Sequence, residues 1–371
     1  MEDSMNIGIP KERRPFEYRV GMSPAGVEIL TQLGHKVYLE HEAGVGAGFG
    51  DREYEKAGAR LAYSPDEVFG RADLLLKVAR PMKEELEWLQ PGCVLMGLLH
   101  LASAQQDKVD VLLKKEVTAI SYEQIQMADG SLPVLRPFSQ IGGMMAAQTA
   151  ARLLQNNWGG KGILIGGVPG VPPAEVVVLG AGVVGRNATR GFLGLGAHVT
   201  VIDINILALQ RIADHFPGVA TMMSTKRNIE RATAYADVVV GAVLIPGERA
   251  PILVTREMVR AMKPRSVVID VSIDEGGCVE TSRPTTHDRP TYEEEGILHY
   301  CVPNMPGVVA RTATHAFVNA AIPFIVEIAG KGIEKAMKEN EAIESSVVTH
   351  AGKLHHMRRL TDRREVDDGL D

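Results

Sequence analysis

The sequence predicts an α/β protein made of two doubly wound parallel-sheet domains. Three observations carry this. Short runs of consecutive apolar residues, suited to strands buried on both faces, alternate with helix-period segments through the first third of the chain. The same alternation resumes after residue 174, where an apolar run enters a glycine-rich turn. The 371 residues are enough for two separate cores.

In the first block, residues 6–9, 36–40, 73–78, 93–99 and 117–121 are the apolar runs read as buried strands. Ser23 reads as an N-cap with Pro24 at the first helical position, residues 25–33 as the helix and Gly34 as its stop. Residues 51–57, 65–69, 82–89 and 103–115 read as further helices, and 141–156, rich in Ala, Met and Gln, as a long one. The Gly- and Pro-loaded stretch 159–173 reads as loops around a short strand at 163–165. Later strands are expected at 238–240, 267–271 and 298–300, and a last long helix at 311–329, kinked by Pro323. The C-terminal helices are too little for a domain of their own. The expected organisation is therefore discontinuous: residues 1–140 with 305–371 form one domain and 141–304 are inserted as the other. An active site is expected at the cleft, where strands of both sheets end.

The turn after residue 179 is the most informative motif. Gly180, Gly182 and Gly185 fill the glycine places of G-x-G-x-x-G between an apolar strand and a helix. The first allows a tight turn, the second lets a pyrophosphate approach the backbone, and the third lets helix pack on strand. A second apolar run, 197–203, ends in Asp203, about 20 residues on, where a carboxylate accepts hydrogen bonds from an adenosine ribose. A Rossmann dinucleotide-binding domain is the expectation. Asp203 would repel a 2′-phosphate and residues 204–208 carry no charge to rescue it, so NAD is expected over NADP.

A net charge of −6 argues against nucleic-acid binding, which needs a basic surface. The three cysteines, Cys93, Cys278 and Cys301, are odd in number and far apart, so neither a disulfide framework nor a metal site is read from them. His355 and His356, in an Arg-rich C-terminal segment, read as part of a solvated tail, and no metal ligands are assigned. The short acidic N-terminus lacks the features of a signal peptide, and no uninterrupted apolar run reaches the ~18 residues needed to span a bilayer. A cytoplasmic location is the expectation.

Several ionisable residues sit at strand ends: Lys77, His100, Asp270 and Asp274, with Arg19 in the loop before the first helix. Singly each has an ordinary reading. Lys77 reads as a strand-end surface lysine, Arg19 as half of a surface ion pair, and His100 equally as a core histidine. Asp270 reads best as a turn brace, and Asp274 as a turn residue beside Gly276-Gly277. Together they suit a nicotinamide enzyme that grips a carboxylate with Arg and Lys and moves a proton with His.

Segment by segment, the chain resembles the alanine dehydrogenases. The resemblance rests on Ile7-Gly8-Ile9-Pro10-Lys11-Glu12, Arg19-Val20 with Ser23-Pro24-Ala25-Gly26-Val27, Leu74-Leu75-Leu76-Lys77-Val78 and Leu99-His100-Leu101-Ala102. It continues through Gly166-Gly167-Val168-Pro169-Gly170-Val171, the glycine turn with Asp203-Ile204-Asn205, and Gly241-Ala242-Val243-Leu244-Ile245-Pro246-Gly247. Ile273-Asp274-Glu275-Gly276-Gly277-Cys278, Ser282-Arg283-Pro284-Thr285-Thr286 and Asn304-Met305-Pro306-Gly307 complete it. The resemblance implies NAD-dependent, reversible deamination of L-alanine to pyruvate and ammonium by a homohexamer. It implies that Arg19 and Lys77 bind substrate and that His100 and Asp274 are catalytic. It implies cofactor contacts from Ser139, Gly180, Gly182, Val183, Val184, Gly185, Asp203, Val302, Asn304 and Met305. Departures from the family pattern are Ala208 in place of a basic residue, Pro303 before Asn304, and Val308-Val309-Ala310. Rival readings are the NAD-binding subunit of a proton-translocating transhydrogenase, a saccharopine dehydrogenase and a non-catalytic NAD-sensing protein. His100 and Asp274 together favour a dehydrogenase over the transhydrogenase subunit, and a sensing protein has no use for the whole set Arg19, Lys77, His100 and Asp274, while the saccharopine dehydrogenase stays a second enzyme rival.

Overall fold

The computed structural model describes residues 4–101, 104–245 and 249–356. Ala102, Pro246 and Gly247 of the resembling segments, the predicted helix start at Ser103 and the arginines of the C-terminal tail lie outside them. In chain order the strands are β1 (Asn6–Ile9), β2 (Lys36–Glu40), β3 (Arg60–Ala62), β4 (Leu74–Ala79), β5 (Val94–Leu98), β6 (Thr118–Ser121), β7 (Glu175–Leu179), β8 (His198–Asp203), β9 (Ala220–Met223), β10 (Val238–Gly241), β11 (Val267–Asp270), β12 (Thr291–Glu294), β13 (Ile297–Tyr300), β14 (Val347–His350) and β15 (Lys353–Leu354). The helices are α1 (Pro24–Gln32), α2 (Asp51–Lys56), α3 (Pro65–Arg71), α4 (Lys83–Trp88), α5 (Gln106–Lys114), α6 (Arg136–Leu153), α7 (Val183–Gly194), α8 (Ile206–His215), α9 (Lys226–Tyr235), α10 (Arg256–Arg260), α11 (Ala310–Lys331), α12 (Ile333–Glu339) and α13 (Glu341–Glu344). The chain divides into two compact units, Met1–Phe138 with Gly307–Asp371, and Ser139–Pro306.

The first unit holds an eight-stranded sheet in the order β15-β14-β6-β5-β4-β1-β2-β3. Strands β1 to β6 pair in parallel. β4 shows why: Leu74, Leu75, Leu76 and Val78 are all buried, as strands covered on both faces require. Ser23 caps α1 by accepting from Gly26 N–H, with Pro24 following it, and Gly34 takes up a left-handed φ of 91° beyond its end. The C-terminal return brings strands as well as helices. β14 pairs antiparallel with β6, and β15 pairs antiparallel with β14. β14 is only Val-Val-Thr-His between serines and a turn, too short for a periodic signal of its own. His355 and His356 are not a solvated tail: their N–H groups donate to Val348 and Val347 carbonyls at 3.0 and 3.1 Å. By length and composition α11 with the turn before it could cross a membrane. It runs through Pro323 and packs Phe317, Ala321, Ile325 and Ile328 into the first unit's interior.

The second unit holds a seven-stranded sheet, β12-β13-β11-β10-β7-β8-β9, parallel except for β12. Read from β9 to β13, the parallel strands follow the order 3-2-1-4-5-6 of a dinucleotide-binding doubly wound sheet. Alternate residues serve opposite faces. Val176, Val178, Val201, Val238, Val240 and Val267 join one core, and Val177, Leu179, Ile202, Val239 and Val268 the other. The strand expected at 163–165 does not form. Glycines with positive φ at 162 and 167 turn the chain on either side, and Ile165 keeps one backbone bond, its carbonyl accepting from Ala174 N–H.

The turn from β7 into α7 is made by close backbone approach. Gly180 has φ 107°, and a Cβ there would lie 2.3 Å from the Ala242 carbonyl oxygen. A Cβ on Gly185 would lie 1.8 Å from the Gly180 carbonyl oxygen, whereas one on Gly182 would meet nothing within 4 Å. The two positions therefore separate by experiment. Gly185→Ala should destabilise the protein by about 1–3 kcal/mol, as overpacking does. Gly182→Ala, at the helix cap, should cost no more than about 1 kcal/mol. Thermal or urea unfolding reads both, and equal effects would contradict the packing described.

Candidate active site

Parallel strands of a doubly wound sheet finish on one edge, and ligands bind there. In the first unit that edge collects the ionisable groups. β4 slips in register against β5 between Leu76 and Ala79, and at this irregularity Val78 N–H donates to Glu12 Oε1 at 2.6 Å. Lys77, inside the same irregularity, is fully buried, against its reading as a surface lysine. Its Nζ donates to Glu12 Oε2 at 3.0 Å and Glu85 Oε1 at 2.7 Å. Both carboxylates are buried, and Arg13 Nη1 lies 3.7 Å from Glu85 Oε1. Burial pushes the Glu12 carboxyl above its usual range, with the Lys77 ammonium working against that. Burial also acts to lower the Lys77 pKa, but the two carboxylates overcome it and hold the ammonium above its usual value.

Arg19 lies in the loop after β1 and is also buried rather than superficial. Its Nε donates to Glu17 Oε1 at 2.6 Å and its Nη2 to Oε2 at 2.5 Å, a bidentate pair, and its guanidinium stacks over Phe138. His100 follows β5 and is exposed, so it is not a core histidine. Its backbone has φ 43°, a left-handed conformation uncommon outside glycine. Glu123, from the turn after β6, holds it there by accepting His100 N–H at 2.7 Å and Leu99 N–H at 3.2 Å. Arg80, just beyond β4, donates to the His100 carbonyl at 3.3 Å. Glu12, Glu17, Glu85 and Glu123 were not singled out from sequence. Glu12 lay within a quoted segment, but nothing in its pattern shows burial.

In the second unit the corresponding edge is built from backbone. α7 begins after Gly182 with no side-chain cap, so the N–H groups of its first turn, Val183, Val184 and Gly185, have no intrahelical partner, and a Cβ on Gly182 would meet nothing within 4 Å. That uncapped positive helix end suits a pyrophosphate, so the residues present fit a dinucleotide. Asp203 closes β8 and ties the turn, accepting Ala181 N–H at 2.6 Å and Asn205 N–H at 2.7 Å. Ala208 is buried in α8. Ser139 lies in the first turn of α6 and is half-buried.

Asp270 is buried at the end of β11 and braces the following turn, accepting N–H groups of Ser272, Cys278 and Val279 at 3.1, 2.9 and 3.2 Å. Burial raises its pKa, and the hydrogen bonds around it work in the other direction. The braced turn, Val271–Glu275, presents Asp274 exposed to solvent. Asp274 Oδ1 accepts Asn304 N–H at 3.2 Å, which joins the loop after β11 to the loop after β13. Asn304 itself has φ 54°, a region asparagine tolerates. Val302 and Met305 on either side are buried. Thus Asp274 and Asn304 meet, as do the glycine turn and Asp203. Cys278 and Cys301 are buried free thiols, and burial raises the pKa of both, so they remain unreactive packing groups.

The sequence and the fold are shared with known proteins. The alanine dehydrogenase/PNT N-terminal domain model matches residues 8–142, and the corresponding C-terminal domain model matches residues 146–357. Alanine dehydrogenase of Methanococcus maripaludis is 48% identical over 352 residues, 94% of each chain. That of Mycobacterium tuberculosis is 46% identical over 359 residues, 96% of each chain. Among solved structures, an L-alanine dehydrogenase superimposes with TM-score 0.92 at 44% identity, covering 95% of this chain and 97% of its own. A transhydrogenase from Sinorhizobium meliloti superimposes with TM-score 0.82 at 27% identity, covering 94% and 99%. With both domain models matched and near-full-length identities close to one half, the chain belongs to the alanine dehydrogenase/PNT family of dinucleotide-binding dehydrogenases.

Proposed function

We propose that this protein is an NAD-dependent alanine dehydrogenase, converting L-alanine and water to pyruvate and ammonium, and the reverse. The observation that carries this is the set of cations and proton-exchanging groups Arg19, Lys77, His100 and Asp274, in a chain nearly half identical to alanine dehydrogenases along its length. The nicotinamide ring supplies the hydride acceptor. Everything else falls to side chains. Lys77 has three ammonium N–H groups and, among the described residues, gives two to Glu12 and Glu85, which leaves one for the substrate oxygen. Arg19, held rigid by Glu17 and Phe138, grips the carboxylate. His100 exchanges a proton with the carbonyl oxygen, and Asp274 orients the water that attacks the imine or, in reverse, the ammonia that attacks pyruvate. Ser139, Val302, Asn304 and Met305 border the cofactor, and Gly182 to Gly185 hold its phosphates. By resemblance the working form is a homohexamer, and the sparse, unpaired cysteines suit a reducing cytoplasm.

NAD should be preferred over NADP. The Asp203 carboxylate would accept from the ribose hydroxyls and repel a 2′-phosphate, and at ~4 Å such repulsion is on the order of 1–4 kcal/mol, about fivefold or more in efficiency. Comparing kcat/KM for the two cofactors decides it, and equal use of NADP would refute the assignment.

Arg19→Lys keeps the charge beside Glu17 but loses the planar fork. It should raise KM for alanine and pyruvate by about tenfold, roughly the 1–1.5 kcal/mol of one hydrogen bond, with NADH binding and folding kept. Unchanged kinetics would return Arg19 to a purely structural role.

His100→Ala and Asp274→Asn should each lose ~10²–10⁴-fold in turnover while NADH still binds, as fluorescence titration can show. Turnover within a fewfold of wild type in either variant would remove that residue from the chemistry and favour a transhydrogenase-like or cofactor-sensing protein.

A further inference from the structure

The C-terminal return of the first unit builds a side-chain cluster that the proposed reaction does not use. Glu344 ends α13, and its carboxylate is partly covered. Two serines later the chain enters β14, and after the β14–β15 hairpin it comes back to place His355 and His356 beside the same helix end. Backbone bonds fix both approaches. Ser345 N–H donates to the Glu341 carbonyl at 2.9 Å and Ser346 Oγ to Ile343 at 2.7 Å, while His355 and His356 N–H groups bind β14. One ligand-competent atom from each of Glu344, His355 and His356 lies within 4.8 Å of the other two. The imidazole centroids of His355 and His356 are 4.5 Å apart, and His356 Nε2 contacts Glu344 Oε1.

From this geometry we infer that Glu344, His355 and His356 form a site for a divalent transition-metal ion of the zinc class, which clasps the β14–β15 hairpin to α13. Two imidazole nitrogens and one carboxylate oxygen suit zinc, nickel or copper, whereas magnesium and calcium take all-oxygen shells. On a tetrahedral zinc, ligand atoms sit roughly 3.3 Å apart, so modest side-chain rotation closes the cluster, and water completes the shell. Both imidazoles are exposed. The neighbouring His350 is not a ligand. Its Nδ1 lies 3.0 Å from Thr118 Oγ1 and its Nε2 3.2 Å from Glu334. Sequence spacing hides the site, because Glu344 precedes His356 by twelve residues and the fold alone brings them together. Without metal, the His356–Glu344 contact is an exposed side-chain contact of little worth.

Calorimetric titration of the chelator-treated full chain with zinc chloride, and separately with magnesium chloride, tests this. Zinc should bind at this site and raise the thermal midpoint, and magnesium should not. His355→Ala and His356→Ala should each weaken zinc binding at least ~tenfold, the low end for disturbing a metal site. Their metal-free melting should equal that of the wild type, since both residues are exposed. Hydrogen exchange gives a second reading that needs no variant: zinc should slow exchange at the His355 and His356 amides. Absence of zinc binding in the wild type, equal binding of magnesium, or undiminished zinc binding in the double histidine variant would each overturn the inference. A His350→Ala loss as large as the other two would overturn the assigned ligand set.

Discussion

Burying a cation at the edge of a parallel sheet is costly unless a carboxylate goes with it, and the first unit depends on that constraint. Crossover helices cover both faces of the sheet, so groups meant for chemistry collect where the strands end, partly out of water. Lys77 is enclosed completely and is kept charged by Glu12 and Glu85, while Arg19 is kept by Glu17. Each carboxylate does more than neutralise. Glu12 also captures Val78 N–H at the irregularity of β4, so the lysine and the backbone that aims it share one partner. Glu123 accepts the His100 backbone N–H, lies 4.0 Å from the His100 imidazole, and holds His100 in a left-handed conformation that the chain would otherwise leave. Positioning by buried acids makes these side chains rigid at the expense of any tolerance for losing one partner.

The second unit reaches the same edge by different means. Its turn after β7 carries no charged side chain, because the helix end itself offers N–H groups to an anion. Close approach of Gly185 to the Gly180 carbonyl sets the helix against the strand, and Asp203 ties the turn from the next strand. Farther along the sheet Asp270 stays buried and gathers three backbone N–H groups, which leaves Asp274 displayed on a fixed turn. One aspartate is structural and the other is presented to solvent, four residues apart, and burial makes the difference.

The outer edge of the first sheet poses a separate problem, since an unpaired strand invites pairing with another chain. Here the return from α11 lays down β14 antiparallel on β6 and then the two-residue β15. A strand that short offers little template for pairing. The histidines that follow keep bonding to β14, so a metal clasp at Glu344 would fasten this hairpin along that edge.

Local pattern was enough to determine the long, fully apolar strands, the Ser23-Pro24 helix start and the glycine turn with its distant aspartate. Each is a short-range signal in which the residue types and the backbone conformation agree. It also drew attention to the ionisable groups in or after apolar runs, of which Asp270 ends its strand, Lys77 lies inside β4, and His100 and Asp274 lie in the turns beyond β5 and β11. Tertiary structure decided the rest. Whether Lys77 was at the surface or enclosed depended on Glu12 and Glu85, far away in sequence or on the next helix. β3, β14 and β15 are too short to declare themselves and exist because a neighbouring strand supplies the hydrogen bonds. The run at 163–165 had strand composition, but between the turns at Gly162 and Gly167 it keeps only the Ile165–Ala174 bond, so it stayed a loop. Burial and pairing are properties of what the chain meets after folding, and a sequence pattern carries them only where the partner is close by.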